Sequence, residues 1–505
     1  MKVFDYIKSE KFNGKFGKNG KYLITLVFIV IGVVTIIISK AATPNSSVEP
    51  ENGTKSGALS TVSSSAASNG KYIRFGSTAT GECGNRVQNY SYQVPFGNAI
   101  WNQPVCNLPK YAKSSDYSNR LYNWSYVNHV ESNQDRKKNL GEDLGFGPNF
   151  ATTPQEISSS YGRNVYYASD ATTTVQVWAY LYGSNLDEPS REYKPDVAIP
   201  WNPEWKTGQG GDNEIIILDE SNGRIYELAN YEPNQESANL KCIKIDFEYG
   251  IFDTSFPDSG RICVGTASIG RDIDGNIIDY RTFEGAHGDR GVGLSKFITF
   301  TMPEELLAGE IRHALGMVIP NTAIGPICTK QQLGTSAEGN SCGTAVAPAT
   351  KVEHGDKLDM SHIINPNLYP ATLAQYTQDR LIPEGMRFAL DISDQDIDTW
   401  IQSRDDLRTN TRLAQTARII AVALRDYGMM VVDTSGAQPG FQVAGTENPD
   451  SRSKWEQLGI TKTTGQGLLK GLIKEEDLYV VEPPTVTCQD NTTTKYYCRW
   501  KSASY

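Results

Sequence analysis

Residues 214–228 read EIIILDESNGRIYEL, and this stretch decides the fold class. A β-branched run, Ile215 to Ile217, leads through Leu218 into the polar residues Asp219 to Ser221. Asn222-Gly223 follows, the pair that supplies positive φ angles in tight hairpin turns. Ile225, Tyr226 and Leu228 then restart an apolar run. The stretch therefore reads as two strands joined by a turn. Outward from it the pattern recurs in VYYA (165–168), TTVQVWAYLY (173–182), CIKIDFEY (242–249), KFITFTM (296–302) and GMMVVD (428–433). RDIDGNIIDY (271–280) reads as a second hairpin with Gly275-Asn276 at its tip. Such β-branched and aromatic runs, separated by Gly, Asn, Asp and Pro, are the pattern of sheets joined by turns.

One helix is well marked. TNTRLAQTARIIAVALRDYG (409–428) places Leu413, Ala417, Ile420, Leu424 and Tyr427 on one face at helical spacing. Thr409 or Asn410 can cap its start and Gly428 can end it. With strands so frequent and helices so few, the expected fold is mainly β, a jelly-roll or distorted β-sandwich. It is predicted as one main domain over residues 95–482, followed by a C-terminal hairpin (483–505) closed by Cys488 and Cys498.

The chain has 505 residues and a formal charge of −10. Residues 1–21 carry Lys2, Lys8, Lys11, Lys15, Lys18 and Lys21 against Asp5 and Glu10, so the body beyond them is strongly acidic. Phosphate binding needs a basic surface, and nucleic acid is therefore not an expected partner. Residues 22–39, YLITLVFIVIGVVTIIIS, are free of charge and proline. As a helix they would reach about 27 Å, close to a hydrocarbon core of roughly 30 Å. The lysines before them predict a cytoplasmic N-terminus, a single membrane anchor and an extracellular body. Cleavage near Ala41 is the alternative, giving a secreted chain. Residues 40–94 read as a stalk rich in Ser, Ala and Thr.

Eight cysteines lie beyond that segment: Cys83, Cys106, Cys242, Cys263, Cys328, Cys342, Cys488 and Cys498. None forms a C-x-x-C pair. The even number predicts disulfides, and pairing of neighbours is the simplest of many connectivities.

AGEIRHALGMVIP (308–320) is the densest cluster of chemistry-bearing residues. Read as a strand, it sets Ile311, His313, Leu315, Met317 and Ile319 on one face and Glu310 with Arg312 on the other. His313 is then either a satisfied core residue or a proton carrier lining a groove. Trp201 and Trp205 in PWNPEW are candidate sugar-stacking platforms, with burial the alternative. His287, in a Gly-rich loop, is a further candidate. Asp272-Ile-Asp274-Gly275-Asn276 reads as a hairpin rather than a calcium loop, because Gly270 and Arg281 stand where acidic ligands belong. G-x-S-x-G, P-loop, Rossmann and H-E-x-x-H motifs are all missing, so no cofactor or metal is expected.

Two resemblances add to this reading. VEPENGTKSG and AASNGKYIRFG, within residues 48–76, resemble the opening strands of family 6/35 carbohydrate-binding modules, with their E-x-E-x-G and S-x-G-x-Y-[IV]-x-F patterns. Glu49 and Glu51 stand where such modules hold a structural calcium. The remaining strands and aromatics of a module are not found, so the fragment reads as a vestigial strand pair or spacer. From Pro95 to about Glu482 the chain resembles a family of secreted bacterial β-rich proteins with no established activity. PFGNAIWNQPV, EIIILDESNGRIYEL, GEIRHALGMVIP, NLYPAT, IPEGMRFAL and ALRDYGMMVVDTSG carry that resemblance in order. The chain departs from it in segments around 242–263 and 321–355.

Within those motifs Asp219, Glu227, Glu310, His313 and Asp433 are the candidate catalytic residues. Each ends or sits on a predicted strand, and carboxylate pairs with a proton carrier are what glycosidic cleavage uses. For Asp219 and Asp433 a turn-starting aspartate is the alternative. The expected partner is a polysaccharide or cell-envelope glycan, contacted either by a hydrolase or lyase or by a non-catalytic binding or adhesion protein.

Overall fold

The computed structural model describes residues 59–63, 71–75, 87–88, 90–94, 99–126, 138–148, 150, 162–179, 198–208, 214–229, 261–264, 266–269, 277, 279–280, 292–323, 345–349, 380–435, 438–488 and 500–504. The chain divides into two compact units, Met1–Thr78 and Ala79–Tyr505. The described part of the first is an antiparallel pair, β1 (Leu59–Ser63) with β2 (Lys71–Phe75).

In the second unit the strands in chain order are β3 (Arg163–Tyr167), β4 (Thr173–Ala179), β5 (Ala198–Trp201), β6 (Glu214–Asp219), β7 (Arg224–Ala229), β8 (Arg261–Val264), β9 (Thr266–Ile269), β10 (Leu315–Ile319), β11 (Arg387–Leu390), β12 (Met429–Thr434), β13 (Gly440–Phe441), β14 (Leu478–Val480), β15 (Thr485–Cys488) and β16 (Trp500–Ser504). The α-helices are α1 (Ser114–Trp124), α2 (Leu140–Asp143), α3 (Pro303–Ala308), α4 (Asp394–Ser403), α5 (Asp405–Arg408), α6 (Thr411–Asp426) and α7 (Pro449–Gln457). Helix and strand thus occur in similar measure, and the sheets are small and open. This corrects the mainly β, jelly-roll or sandwich expectation. Its physical cause is that helices such as α7, PDSRSKWEQ, bury only Ser451 and Trp455 and carry almost no apolar periodicity.

The central sheet has the order β13-β10-β12-β11-β14, with β10 and β12 parallel. All four residues Met429–Val432 of β12 are buried, the signature of a strand covered on both faces. Helix α6 packs on β11 with Leu413, Ala417, Ile420 and Leu424 inward. Its boundaries follow the sequence. The Asn410 side chain accepts the Leu413 N–H at 3.1 Å, and the helix stops at Gly428, whose φ is 75°. A Cβ at Gly428 would lie 2.1 Å from the Phe388 carbonyl oxygen, so only glycine fits there. Replacing the cap, Asn410→Ala, should cost about 1 kcal/mol in a chemical-denaturation midpoint, and an unchanged midpoint would refute the cap's role.

A second sheet, β3-β6-β7-β9, lies between two interiors. Side chains alternate along a strand. Ile216, Leu218 and Ile225 join the main core, whereas Ile215, Ile217, Tyr226 and Leu228 join a smaller one with Val175, Val177 and Ile199 from the β5-β4-β8 sheet. The β6–β7 hairpin forms in the register Asp219↔Arg224, but its loop spans residues 220–223 and Gly223 takes positive φ without Asn222, so the expected positive-φ pair is not formed.

Two further expectations are corrected. Among the described residues no helix is long and apolar enough to cross a membrane, so the expected single-pass anchor is not supported. The long α6 carries Arg412, Arg418, Arg425 and Asp426, which no apolar span tolerates. Residues 1–21, 22–39 and 40–58, on which that expectation rested, lie outside the described residues. Nor is the expected framework of four disulfides found, since no disulfide joins two described cysteine side chains. Cys106 is itself disulfide-bonded, and the other cysteine side chains (Cys83, Cys242, Cys263, Cys328, Cys342, Cys488 and Cys498) lie outside the description.

Candidate functional site

The five candidate catalytic residues do not converge. Asp219 ends β6, where its carboxylate accepts the Ser221 hydroxyl at 2.7 Å, the Asn222 N–H at 3.2 Å and the Asn222 amide at 2.8 Å. Burial alone would raise its pKa, but those donors outweigh it and hold the carboxyl below the usual carboxylate range. It is the turn-starting aspartate. Glu227, on the β7 face toward the main core, accepts the Ser295 hydroxyl and the Phe297 N–H. It pins the irregular segment that precedes α3.

Asp433 sits near the end of β12, paired with Val318 of β10. Arg163 reaches it at 3.8 Å and also contacts Glu214 and Gln442, while Lys296 meets Glu214 from the other side. This charged cluster ties the two sheets together where Arg163 bridges Ala444. Trp201 and Trp205 are 3% and 6% exposed. Trp205 stacks on Tyr166 at 4.8 Å and meets Trp201 edge-on at 5.6 Å, so these rings fill the smaller core. His287, the 242–249 strand, most of the 271–280 hairpin and NLYPAT lie outside the described residues.

Glu310 and His313 lie at the opposite end of β10 from Asp433, ahead of its first residue, Leu315. The predicted strand does not extend back over them, because the Ala314 N–H bonds the Trp101 carbonyl and the Glu310 N–H bonds that of Glu305. His313 is 4% exposed, with Nδ1 2.8 Å from the Ala314 carbonyl and Nε2 3.0 Å from Glu305 Oε1. Burial would lower the imidazole pKa, but the Glu305 charge and hydrogen bond overcome it and raise the value. Glu305 in turn accepts the Met302 N–H at 2.9 Å, so its carboxylate reaches back to the start of α3. Glu310 accepts from Arg312 and from the Val87 N–H at 3.0 Å, and Arg312 donates to the Val87 carbonyl. The Arg312 guanidinium also lies 4.0 Å over the Tyr90 ring.

Glu310 lines an open cleft of about 220 Å³. Its lining combines the apolar Ile311, Ile419, Val422 and Ala423 with the charged Glu310, Asp394, Arg418, Arg425 and Asp426. On α6, residues 418, 422 and 425 recur at helical spacing along one flank of the buried stripe. Arg425 donates to Asp426 at 2.7 Å and to Asp394 at 2.9 Å. Arg418 reaches Asp394 at 3.3 Å and pairs with Asp398. Helix α4 aims these acids because Ser393 and Asp396 form a reciprocal cap at its start. That S-x-x-D pattern was the available sequence signal for α4. Among the described residues no group of His, Cys, Asp and Glu could hold a metal ion.

Comparison with known proteins adds no relative: no family model, no curated protein and no solved structure matches the chain.

Proposed function

We propose that this protein is a non-catalytic carbohydrate-binding protein that contacts its ligand through the cleft beside the second half of α6. The observation that carries this reading is a cleft lining that sets aliphatic side chains beside carboxylate acceptors and guanidinium donors. A sugar ring offers the matching surfaces, with C–H faces that pack on aliphatic side chains and hydroxyls that both donate and accept. The cleft is smaller than the roughly 300–1,000 Å³ of pockets that enclose drug-sized ligands, so it suits one sugar unit of a chain. The fragment at residues 48–76 that resembles carbohydrate-binding modules supports the same ligand class. Binding rather than cleavage is favoured because Asp219, Glu227, His313 and Asp433 each hold a structural partner away from the cleft. Glycosidic cleavage needs two carboxyl groups facing one bond.

The test incubates the full chain with a panel of polysaccharides and scores retained binding, reducing ends and unsaturated products separately. Retained binding without either product is expected. Arg418→Ala should weaken that binding about tenfold, the loss of one charge-assisted hydrogen bond. Release of reducing ends or unsaturated products would replace the reading with an enzyme, and silence in all three would end it.

A further inference from the structure

Resting on that reading, we infer that the cleft selects by charge, favouring amino sugars that carry a free ammonium group and rejecting uronic acids. The lining sets three carboxylates, Glu310, Asp394 and Asp426, against two guanidiniums, Arg418 and Arg425. Adding the groups behind them, Arg312 on Glu310 and Asp398 on Arg418, leaves the same single negative excess.

The arginines do not offer a vacant carboxylate site. Arg425 is held by Asp426 and Asp394, and Arg418 by Asp394 and Asp398, so an incoming carboxylate would meet guanidiniums already neutralised and acids that repel it. Asp394 is the acceptor with capacity left. Both arginines contact its Oδ1, and its side chain is 62% exposed. Its Oδ2 can accept an ammonium N–H from a sugar seated on Ile419 and Val422, at a rim where both partners stay partly hydrated.

The experiment measures affinity of the full chain, at mildly acidic pH, for three oligosaccharides of matched length: fully deacetylated chitosan, cello-oligosaccharide and oligogalacturonate. Chitosan is expected to bind about fivefold tighter than the neutral chain, and the uronate about tenfold weaker. Asp394→Asn keeps an acceptor toward the arginines and removes the charge, so the ratio of chitosan to cello-oligosaccharide affinity should fall from about five to about one. Added salt should shrink the same preference in the unaltered protein, a readout that does not depend on how the variant folds. Equal affinity for all three, or tighter binding of the uronate, overturns the charge selection and leaves carbohydrate binding standing. Failure to bind any of them removes the underlying reading as well.

Discussion

Replacing Arg387 by methionine should lower the unfolding free energy by about 3–5 kcal/mol, read from urea denaturation. The side chain rises from β11 and is 3% exposed. Its Nε donates to the Tyr427 carbonyl at 2.7 Å and Nη1 to that of Ile100 at 2.9 Å, while Nη2 reaches those of Gln103 and Trp101. Tyr427 is the last residue before Gly428 and β12, so the end of α6 and the 100–103 turn are held by one guanidinium. Methionine fills similar space but donates nothing, and it leaves buried carbonyls without these donors. Each such acceptor costs about 1–3 kcal/mol when water cannot replace the bond. Lysine should recover only part of the loss, because one ammonium cannot reproduce a planar fork. A methionine variant within about 1 kcal/mol of the unaltered protein would show that the carbonyls find other partners.

The second large effect belongs to the His313–Glu305 pair. Glu305→Gln should destabilise the fold by about 3 kcal/mol near neutral pH, since it removes the charged partner of the buried His313 ring and weakens the acceptor of the Met302 N–H at the start of α3. The pair also sets a direction with pH. His313 has its folded pKa raised, although burial by itself would lower it, because Glu305 lies against the ring. Its contribution is therefore complete below the unfolded value of about 6.5 and fades as pH rises through the higher folded value. Arg387 opposes the charged ring, and Tyr90 and Tyr92 lie near enough to Glu305 for its charge to raise their hydroxyls further, after burial has already done so. Denaturation midpoints followed from about pH 6 to pH 9 should fall for the unaltered protein and flatten in Glu305→Gln. A midpoint that climbs over this range would mean the imidazole is neutral in the fold.

Local elements were legible where one residue pattern controls one element. The β6–β7 hairpin declares itself by its β-branched run and Asn222-Gly223, and α6 by its apolar stripe between a cap and a glycine. Tertiary decisions were not. The apolar alternation through Ile311 and His313 continues that of β10, yet a hydrogen bond from Ala314 to the Trp101 carbonyl takes the backbone out of the strand. The site was missed for a related reason. Arg387 finds three of its carbonyl partners 284 to 287 residues earlier in the chain and a fourth, Tyr427, 40 residues later, distances no local pattern encodes. Asp394 and Arg425 meet only once α4 and α6 have packed, so their shared cleft is invisible in either helix alone. Asp219 and Asp433 look alike in sequence, each closing an apolar run, although one holds a turn and the other faces Arg163.

The two-sided burial of β6 makes that strand a party wall. Ile216 and Ile217 are chain neighbours, yet they furnish different rooms, and so do Tyr226 and Ile225 across the hairpin. A slip of one residue would carry every side chain of β6 through the wall, turning Glu214 away from Lys296 and Arg163 into an apolar interior. The two rooms are therefore built or lost together, and the alignment of one short strand is the hinge on which both depend.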